Sequence, residues 1–277
     1  MKLRFAWKQS LGLVVATALL IAGFSGTVLS APITVFSTNF DGSLPSEISP
    51  GTAALTGVQG YAGLGPAGNQ FGGNFLRSAT GNTVTLTLNS LPTHDTISLA
   101  FLFAAIDSLD GTGSFPAGDF FKIVFDGTTL FSESFANAVP SQIQSDVPPA
   151  DVELARRVDL GFSGPGGYYT DSAYDFGADP LFANFAHTNS SATIDFFIFG
   201  PGIQDLADES WAMDNLQVGV TTQAVPEPSA LILLSSGLAG LGLWRRFSPN
   251  MNRTRQDGQA SGLYRPTMTT HDMAPGL

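Results

Sequence analysis

Thr96-Ile97-Ser98-Leu99-Ala100-Phe101-Leu102-Phe103 is the stretch that decides the fold class. Ile97, Leu99, Phe101 and Phe103 fall on alternate positions, and a period of two puts them on one face of an extended strand. The same alternation runs through Thr83-Val84-Thr85-Leu86-Thr87-Leu88, with β-branched polar residues on the opposite face. Residues 120–125 and 129–131 flank Asp126-Gly127, a pair suited to the left-handed backbone of a tight hairpin. Further short strands are predicted at 33–36, 74–77, 157–160, 193–199 and 211–220, about nine in all. Loops rich in Gly, Pro, Asn and Asp separate them, and no helical period runs far. The pattern predicts an all-β domain over residues 32–224, a β-sandwich of the jelly-roll, lectin-like kind.

The last of these strands changes face. Trp211 and Met213 have odd parity, whereas Leu216, Val218 and Val220 have even parity. A strand can do this only through a bulge or bend, here at Asp214-Asn215, and bulges re-aim side chains. Phe dominates the aromatics, with 22 against five Tyr and three Trp. Phenyl rings fill the space between two sheets without needing a hydrogen-bond partner, so most are expected in the core.

The remaining sequence is organised around this domain. Residues 1–31 begin with Lys2, Arg4 and Lys8 and run apolar from Leu11 to Phe24, as a secretory signal does. Cleavage is expected after Ser30 or Ala31; a retained membrane helix is the alternative, against which the short apolar run counts. Within residues 32–224 four basic residues, Arg77, Lys122, Arg156 and Arg157, face twenty acidic ones. Such a surface repels phosphate backbones and excludes nucleic acid as a partner. The chain has no cysteine, so a disulfide is not available as a staple in an exported protein.

Residues 225–247 read Val-Pro-Glu-Pro-Ser-Ala-Leu-Ile-Leu-Leu-Ser-Ser-Gly-Leu-Ala-Gly-Leu-Gly-Leu-Trp-Arg-Arg-Phe. Two prolines block helix formation before Ser229, and Arg245 and Arg246 form a basic stop that stays cytoplasmic. The 16 residues from Ser229 to Trp244 give a helix of about 24 Å, short against a hydrocarbon core of about 30 Å. A marginal span suits a transient anchor. These residues resemble the PEP-CTERM sorting signal of Gram-negative bacteria that make exopolysaccharide. The resemblance implies recognition of Pro226, Glu227 and Pro228 by a membrane-embedded protease-transpeptidase, exosortase, with Arg245 and Arg246 as the retention element. It implies export, anchoring in the inner membrane during sorting, then release to the cell surface or extracellular matrix. Members of that family normally end soon after the basic pair; residues 248–277 depart from this and read as a disordered polar tail.

A second resemblance rests on Asn39-Phe40-Asp41-Gly42, Ile106-Asp107-Ser108-Leu109-Asp110-Gly111 and residues 208–218, Asp-Glu-Ser-Trp-Ala-Met-Asp-Asn-Leu-Gln-Val. These are similar to the opening, middle and closing motifs of jelly-roll domains in secreted bacterial proteins, and the domain is identified with an uncharacterised PEP-CTERM ectodomain family.

Asp41, Asp107, Asp110, Asp119, Asp208 and Asp214 all fall in turns or strand ends near these motifs. Carboxylates from several separated loops are what a structural calcium ion in a β-sandwich requires. The alternative is that each Asp caps its own turn through backbone hydrogen bonds. Tyr61, Asn69, Gln70 and Phe71 of one Gly-rich loop, with Tyr168, Tyr169 and Tyr174 near another, are candidates to line a ligand site. Catalysis is not expected. Glu47, Glu133, Glu153 and Glu209 form no clustered acid–base motif, His94 and His187 are isolated, and residues 163–167 do not make a nucleophile elbow. The leading expectation is an exported structural or adhesive component of the cell envelope or exopolysaccharide matrix. A calcium-stabilised carbohydrate-binding module is the alternative, and a polysaccharide hydrolase is more distant.

Overall fold

The computed structural model describes residues 31–113, 118–162, 169–222, 237–238 and 240–242. Among them are thirteen strands: β1 (Ile33–Thr38), β2 (Ile48–Ser49), β3 (Ala54–Gly57), β4 (Asn74–Ala79), β5 (Thr83–Asn89), β6 (Thr96–Asp107) and β7 (Phe120–Phe125). The series continues with β8 (Thr128–Ser134), β9 (Glu153–Val158), β10 (Asp171–Asp175), β11 (Phe185–Ala186), β12 (Ser191–Phe199) and β13 (Glu209–Thr221). They form two antiparallel sheets packed as a β-sandwich. The larger runs β3-β4-β13-β6-β10-β9, with β1 also paired to β13 and β11 to β6; the smaller runs β2-β5-β12-β7-β8.

The winding follows from the alternation of sheets along the chain. β4, β5, β6 and β7 pass from one sheet to the other in turn, and β12 and β13 later insert between them. Thus β13 lies between β4 and β6, and β12 between β5 and β7. The inner faces carry the residues that alternate in sequence. Phe101 and Phe103 of β6 meet Phe121 of β7, Phe176 and Phe196, with Phe103 stacked on Phe121 at 4.2 Å between centroids. Among the described phenylalanines, twelve are buried, in keeping with their lack of polar atoms.

The expected change of face in the last strand is present. Asn215 adopts a φ of +51°, and the register of β13 on β6 shifts between Asp214 and Gln217. The bulge keeps Trp211 and Met213 before it, and Leu216, Val218 and Val220 after it, in the same core. It also divides the edge partners. β4 pairs with Ser210 to Met213, and β1 with Leu216 to Val220.

A second apolar cluster lies on the outer face of the larger sheet. Leu102, Ala104 and Ile106 of β6, Phe75 of β4 and Ala212 of β13 are covered by Val58, Tyr61 and Phe71 of the Gly-rich loop. The loop is tied down by Gly60 N–H donating to Leu160 O at 2.8 Å and by the Tyr61 hydroxyl donating to Ala105 O at 3.1 Å. A Cβ at Gly60 would lie 2.6 Å from Leu160 O, so glycine permits this approach.

Two strand expectations are corrected. The strand predicted at 157–160 is β9, which ends at Val158. β2, β3, β10 and β11 were not apparent from patterning. β10 shows why: Asp171-Ser-Ala-Tyr-Asp175 is buried throughout, between two neighbouring strands and under a covered face, so no alternation marks it. Residues 1–30, the Pro226-Glu227-Pro228 element, Arg245, Arg246 and the 248–277 tail lie outside the described residues. Beyond the sandwich, residues 237–238 and 240–242 are helical. No helix among the described residues is long and apolar enough to cross a membrane.

Candidate metal centre

The C-terminal end of β6, the start of β7 and the start of β13 meet at one end of the sandwich. Odd parity puts Glu209 on the inner face of β13 with Trp211 and Met213. The same rule aligns Asp119 with Phe121, Ile123 and Phe125 of β7. Two carboxyls thus close the end of an apolar core from facing sheets. Asp110, in the segment after β6, completes the group: ligand oxygens of Asp110, Asp119 and Glu209 lie within 4.8 Å of one another, and all three residues are buried.

The cluster is built by its hydrogen bonds. Asp119 Oδ2 accepts from the Asp110 N–H at 2.8 Å, and the Asp119 N–H donates to Asp110 O at 2.8 Å. Gln142 Nε2 donates to Asp110 Oδ1 at 2.6 Å, while Gln142 Oε1 accepts from the Gly111 N–H at 2.9 Å. Both Glu209 oxygens accept from Gln204, one from its N–H at 2.9 Å and one from Nε2 at 3.1 Å. Asp119 Oδ1 is buried and has no N–H or O–H donor. It faces the Glu209 carboxyl, and without a cation two such groups can meet only by sharing a proton. Burial first, and then the Asp119 charge, push the Glu209 carboxyl up to about 8. Burial likewise raises Asp119 and Asp110 above the ordinary carboxylate range, against the hydrogen bonds that each accepts.

Backbone crowds this end of the molecule. A Cβ on Gly200 would lie 2.7 Å from Asp119 Oδ1 and 2.7 Å from Gly118 O. Gly200→Ala is therefore expected to cost about 1–3 kcal/mol, by overpacking against a carbonyl that cannot rotate away. Urea unfolding of the full chain measures this, and an unchanged midpoint would show that the backbone yields instead.

Of the six aspartates expected to hold calcium, the structure brings together only Asp110 and Asp119. Asp208 lies close by, its Oδ1 accepting from the Ser108 hydroxyl at 3.1 Å. Asp107 is turned away. Alternation from Phe103 and Ala105 would point it inward, but its φ of +61° redirects the chain, and its carboxylate lies 3.8 Å from Arg77. Asp41 and Asp214 belong elsewhere: Asp41 Oδ1 accepts from the Asn74 N–H at 2.8 Å, and Asp214 Oδ2 from the Gly72 N–H at 3.2 Å. These two hold the Gly-rich loop, as capping carboxylates do.

The aromatic ligand site is also corrected. Tyr61 and Phe71 are buried because their loop packs onto the sandwich, and Tyr174 because it lies within β10, between β6 and β9. The Tyr174 hydroxyl donates to Gln144 Oε1 at 2.9 Å. Tyr169 remains near the acidic end, its hydroxyl pushed up by burial and then by Asp208 and Asp110. Tyr168 lies outside the described residues. Asn69 lines a polar cleft of about 550 Å³ with Ser37, Thr38, Asn39, Asn215 and Gln217. Gln70 stays beside it, where its backbone carbonyl accepts from Asn215 Nδ2 at 3.0 Å.

Glu209 was missed because it belongs to no clustered motif, although its parity with Trp211 marks it as inward-facing. The two histidines, isolated in sequence, meet at the opposite end of the sandwich. His94 Nε2 lies 2.6 Å from His187 Nδ1, and His187 Nε2 lies 3.2 Å from Asp126 Oδ2. That pairing was invisible without the tertiary structure, because 93 positions separate the rings.

No curated protein matches the chain. Among solved structures, one similar chain is a Paenibacillus sp. cycloisomaltooligosaccharide glucanotransferase complexed with cycloisomaltoheptaose. It is 12% identical with a TM-score of 0.31, over 65% of this chain and 18% of that one. Another is a family GH115 4-O-methyl-alpha-glucuronidase with specificity for decorated arabinogalactans, 10% identical with a TM-score of 0.32, over 68% and 18%. A family 35 carbohydrate binding module from Clostridium thermocellum is 13% identical with a TM-score of 0.28, over 68% and 98%. The chain thus spans less than a fifth of the length of the two enzymes. Residues 224–246 match the family model of the PEP-CTERM protein-sorting motif, so this β-sandwich chain carries a PEP-CTERM sorting signal directly after its last strand.

Proposed function

We propose that this chain is an exported component of the cell envelope or exopolysaccharide matrix of a Gram-negative bacterium, sorted by exosortase, with a structural or adhesive role and no catalytic one. The observation that carries the reading is the sorting motif at residues 224–246, which begins three positions after β13 ends at Thr221. The apolar segment of the motif anchors the chain in the inner membrane until processing, after which the sandwich is delivered outward. A rigid, acidic β-sandwich suits such service, because its excess of carboxylates keeps an exported domain soluble and disfavours nonspecific association.

The test is fractionation of the full chain in an exosortase-producing host and in its exosortase deletion. In the producing host the sandwich is expected outside the inner membrane, with a C-terminus shortened near Pro228 by mass spectrometry. Deletion, or Glu227→Ala in the motif, is expected to leave an intact chain in the inner membrane. Identical fractionation with and without exosortase would reject the assignment.

The carbohydrate-binding reading is favoured by one observation, the amide-rich cleft of about 550 Å³ lined by Asn39, Asn69, Asn215 and Gln217. Amide side chains present paired donors and acceptors to vicinal hydroxyls. Saturable binding of an exopolysaccharide fraction that is lost in Asn69→Ala would support it over a purely structural role.

A further inference from the structure

We propose that Asp110, Asp119 and Glu209 bind one calcium ion that ties the segment between β6 and β7 to the start of β13. Three carboxyls converge within 4.8 Å from three separate stretches of chain. Asp119 is 1% exposed, and its Oδ1 has no amide or hydroxyl donor, so that in the absence of a cation only a proton shared with Glu209 can satisfy it. Burying three carboxyls with one shared proton between two of them is costly, and a divalent cation placed among them ligates Oδ1 and compensates two negative charges.

The chemistry of the donors selects the ion. All three are hard oxygen ligands, which favours calcium or magnesium over zinc, whose sites draw on nitrogen and sulfur. Calcium takes about six to eight oxygens in adaptable geometry, whereas magnesium keeps several of its waters and seldom uses all-protein sites. A site walled by three buried carboxyls fits the former. The ion takes the place of a disulfide in a chain with no cysteine. It differs from the ion expected from sequence in its ligands: Glu209 enters, while Asp41, Asp107 and Asp214 do not take part.

The proposal does not depend on the sorting route, because it is read on purified protein. The full chain in detergent, stripped with chelator, is titrated with calcium chloride by calorimetry and followed by thermal unfolding. Saturable binding and a rise in Tm of about 5–10 °C at a hundredfold excess over Kd are expected. Glu209→Gln and Asp119→Asn are each expected to abolish binding, yet to unfold in chelator at or above the wild-type Tm, because the amide supplies permanently the donor that the shared proton supplies in the wild type. Asp41→Asn is expected to bind calcium as the wild type does. No saturable heat up to about 10 mM calcium, against an extracellular-module range of about 0.1–1 mM, would overturn the proposal. So would undiminished binding by Glu209→Gln, or an equal response to magnesium. A measurement on the unaltered chain stands beside these: terbium bound at the site is expected to luminesce on indole excitation, since Trp211 lies two residues from Glu209 on β13. Calcium should quench that signal by displacement, and its absence would count against the site.

Discussion

Replacing Arg77 by alanine is expected to cost about 3–5 kcal/mol of folding stability, the range for removing one partner of a buried charge pair. Arg77 projects from β4 on the outer face of the larger sheet with its side chain 14% exposed, and Asp107 opposite it is fully buried, 3.8 Å away. The guanidinium does more than balance a charge. Its Nε donates to Ser210 Oγ at 2.9 Å, and one terminal nitrogen donates to Leu206 O at 2.8 Å, pinning the approach to β13. Its flat face lies 4.4 Å above the Phe162 ring, a cation–π contact. Alanine leaves the Asp107 carboxylate buried without the Arg77 charge, and removes from Asp171 the cation that favours its ionised form. The loss is read by urea unfolding of the full chain, with an unchanged slope and a lower midpoint. Arg77→Lys should recover only part of it, because an ammonium lacks the planar fork and stacking face. A loss below about 1 kcal/mol in Arg77→Ala would mean that the pair is screened as surface pairs are.

The second large effect is a fall in stability as pH rises from about 5 to 8 in the presence of chelator. Burial holds Glu209 up to about 8, Asp214 up to about 7, and Asp171 and Asp146 each up to about 6. In the unfolded chain these groups ionise near pH 4. Between the two values the folded state therefore binds more protons than the unfolded state, and stability declines with pH. Each such proton contributes a slope of about 1.4 kcal/mol per pH unit, so the effect accumulates over the window. Calorimetric unfolding at a series of pH values checks it. Glu209→Gln should flatten the upper part of the profile, and Asp214→Asn the part below it. A profile that rises toward pH 8 in chelator would contradict the protonation scheme. If calcium binds as proposed, its addition should abolish the Glu209 share of the slope, because the ion then replaces the proton.

The legible part of this protein followed from local periodicity and from short-range chemistry. Ile97, Leu99, Phe101 and Phe103 alternate because one face of β6 meets the opposite sheet, and the Asp126-Gly127 pair connects β7 and β8 as its turn chemistry requires. The bulge at Asp214-Asn215 was also readable, since a parity change in apolar residues admits no other extended solution. The sorting motif is a linear signal, legible because its match lies in the neighbouring residues 224–246.

Tertiary structure decided what periodicity does not carry. β10 is buried on both sides, so Asp171-Ser-Ala-Tyr-Asp175 has no polar face to alternate with. The Gly-rich loop reads as exposed because glycine is associated with turns, yet glycine is there to let backbone lie against backbone. Its Tyr61 and Phe71 form a second core and not a binding surface. Asp107 and Glu209 are the instructive pair. Parity places both on the inner face, and a single left-handed residue sends Asp107 outward to Arg77 while Glu209 stays with Asp119.

By itself, then, the sequence determined a β-sandwich with a bulged closing strand and a C-terminal sorting signal, because strand alternation and linear motifs are written in neighbouring residues. Only the tertiary structure decided which carboxylates converge. Asp110, Asp119 and Glu209 approach one another through the pairing of β6 with β13 and the packing of one sheet on the other, and those distances are set by the whole core.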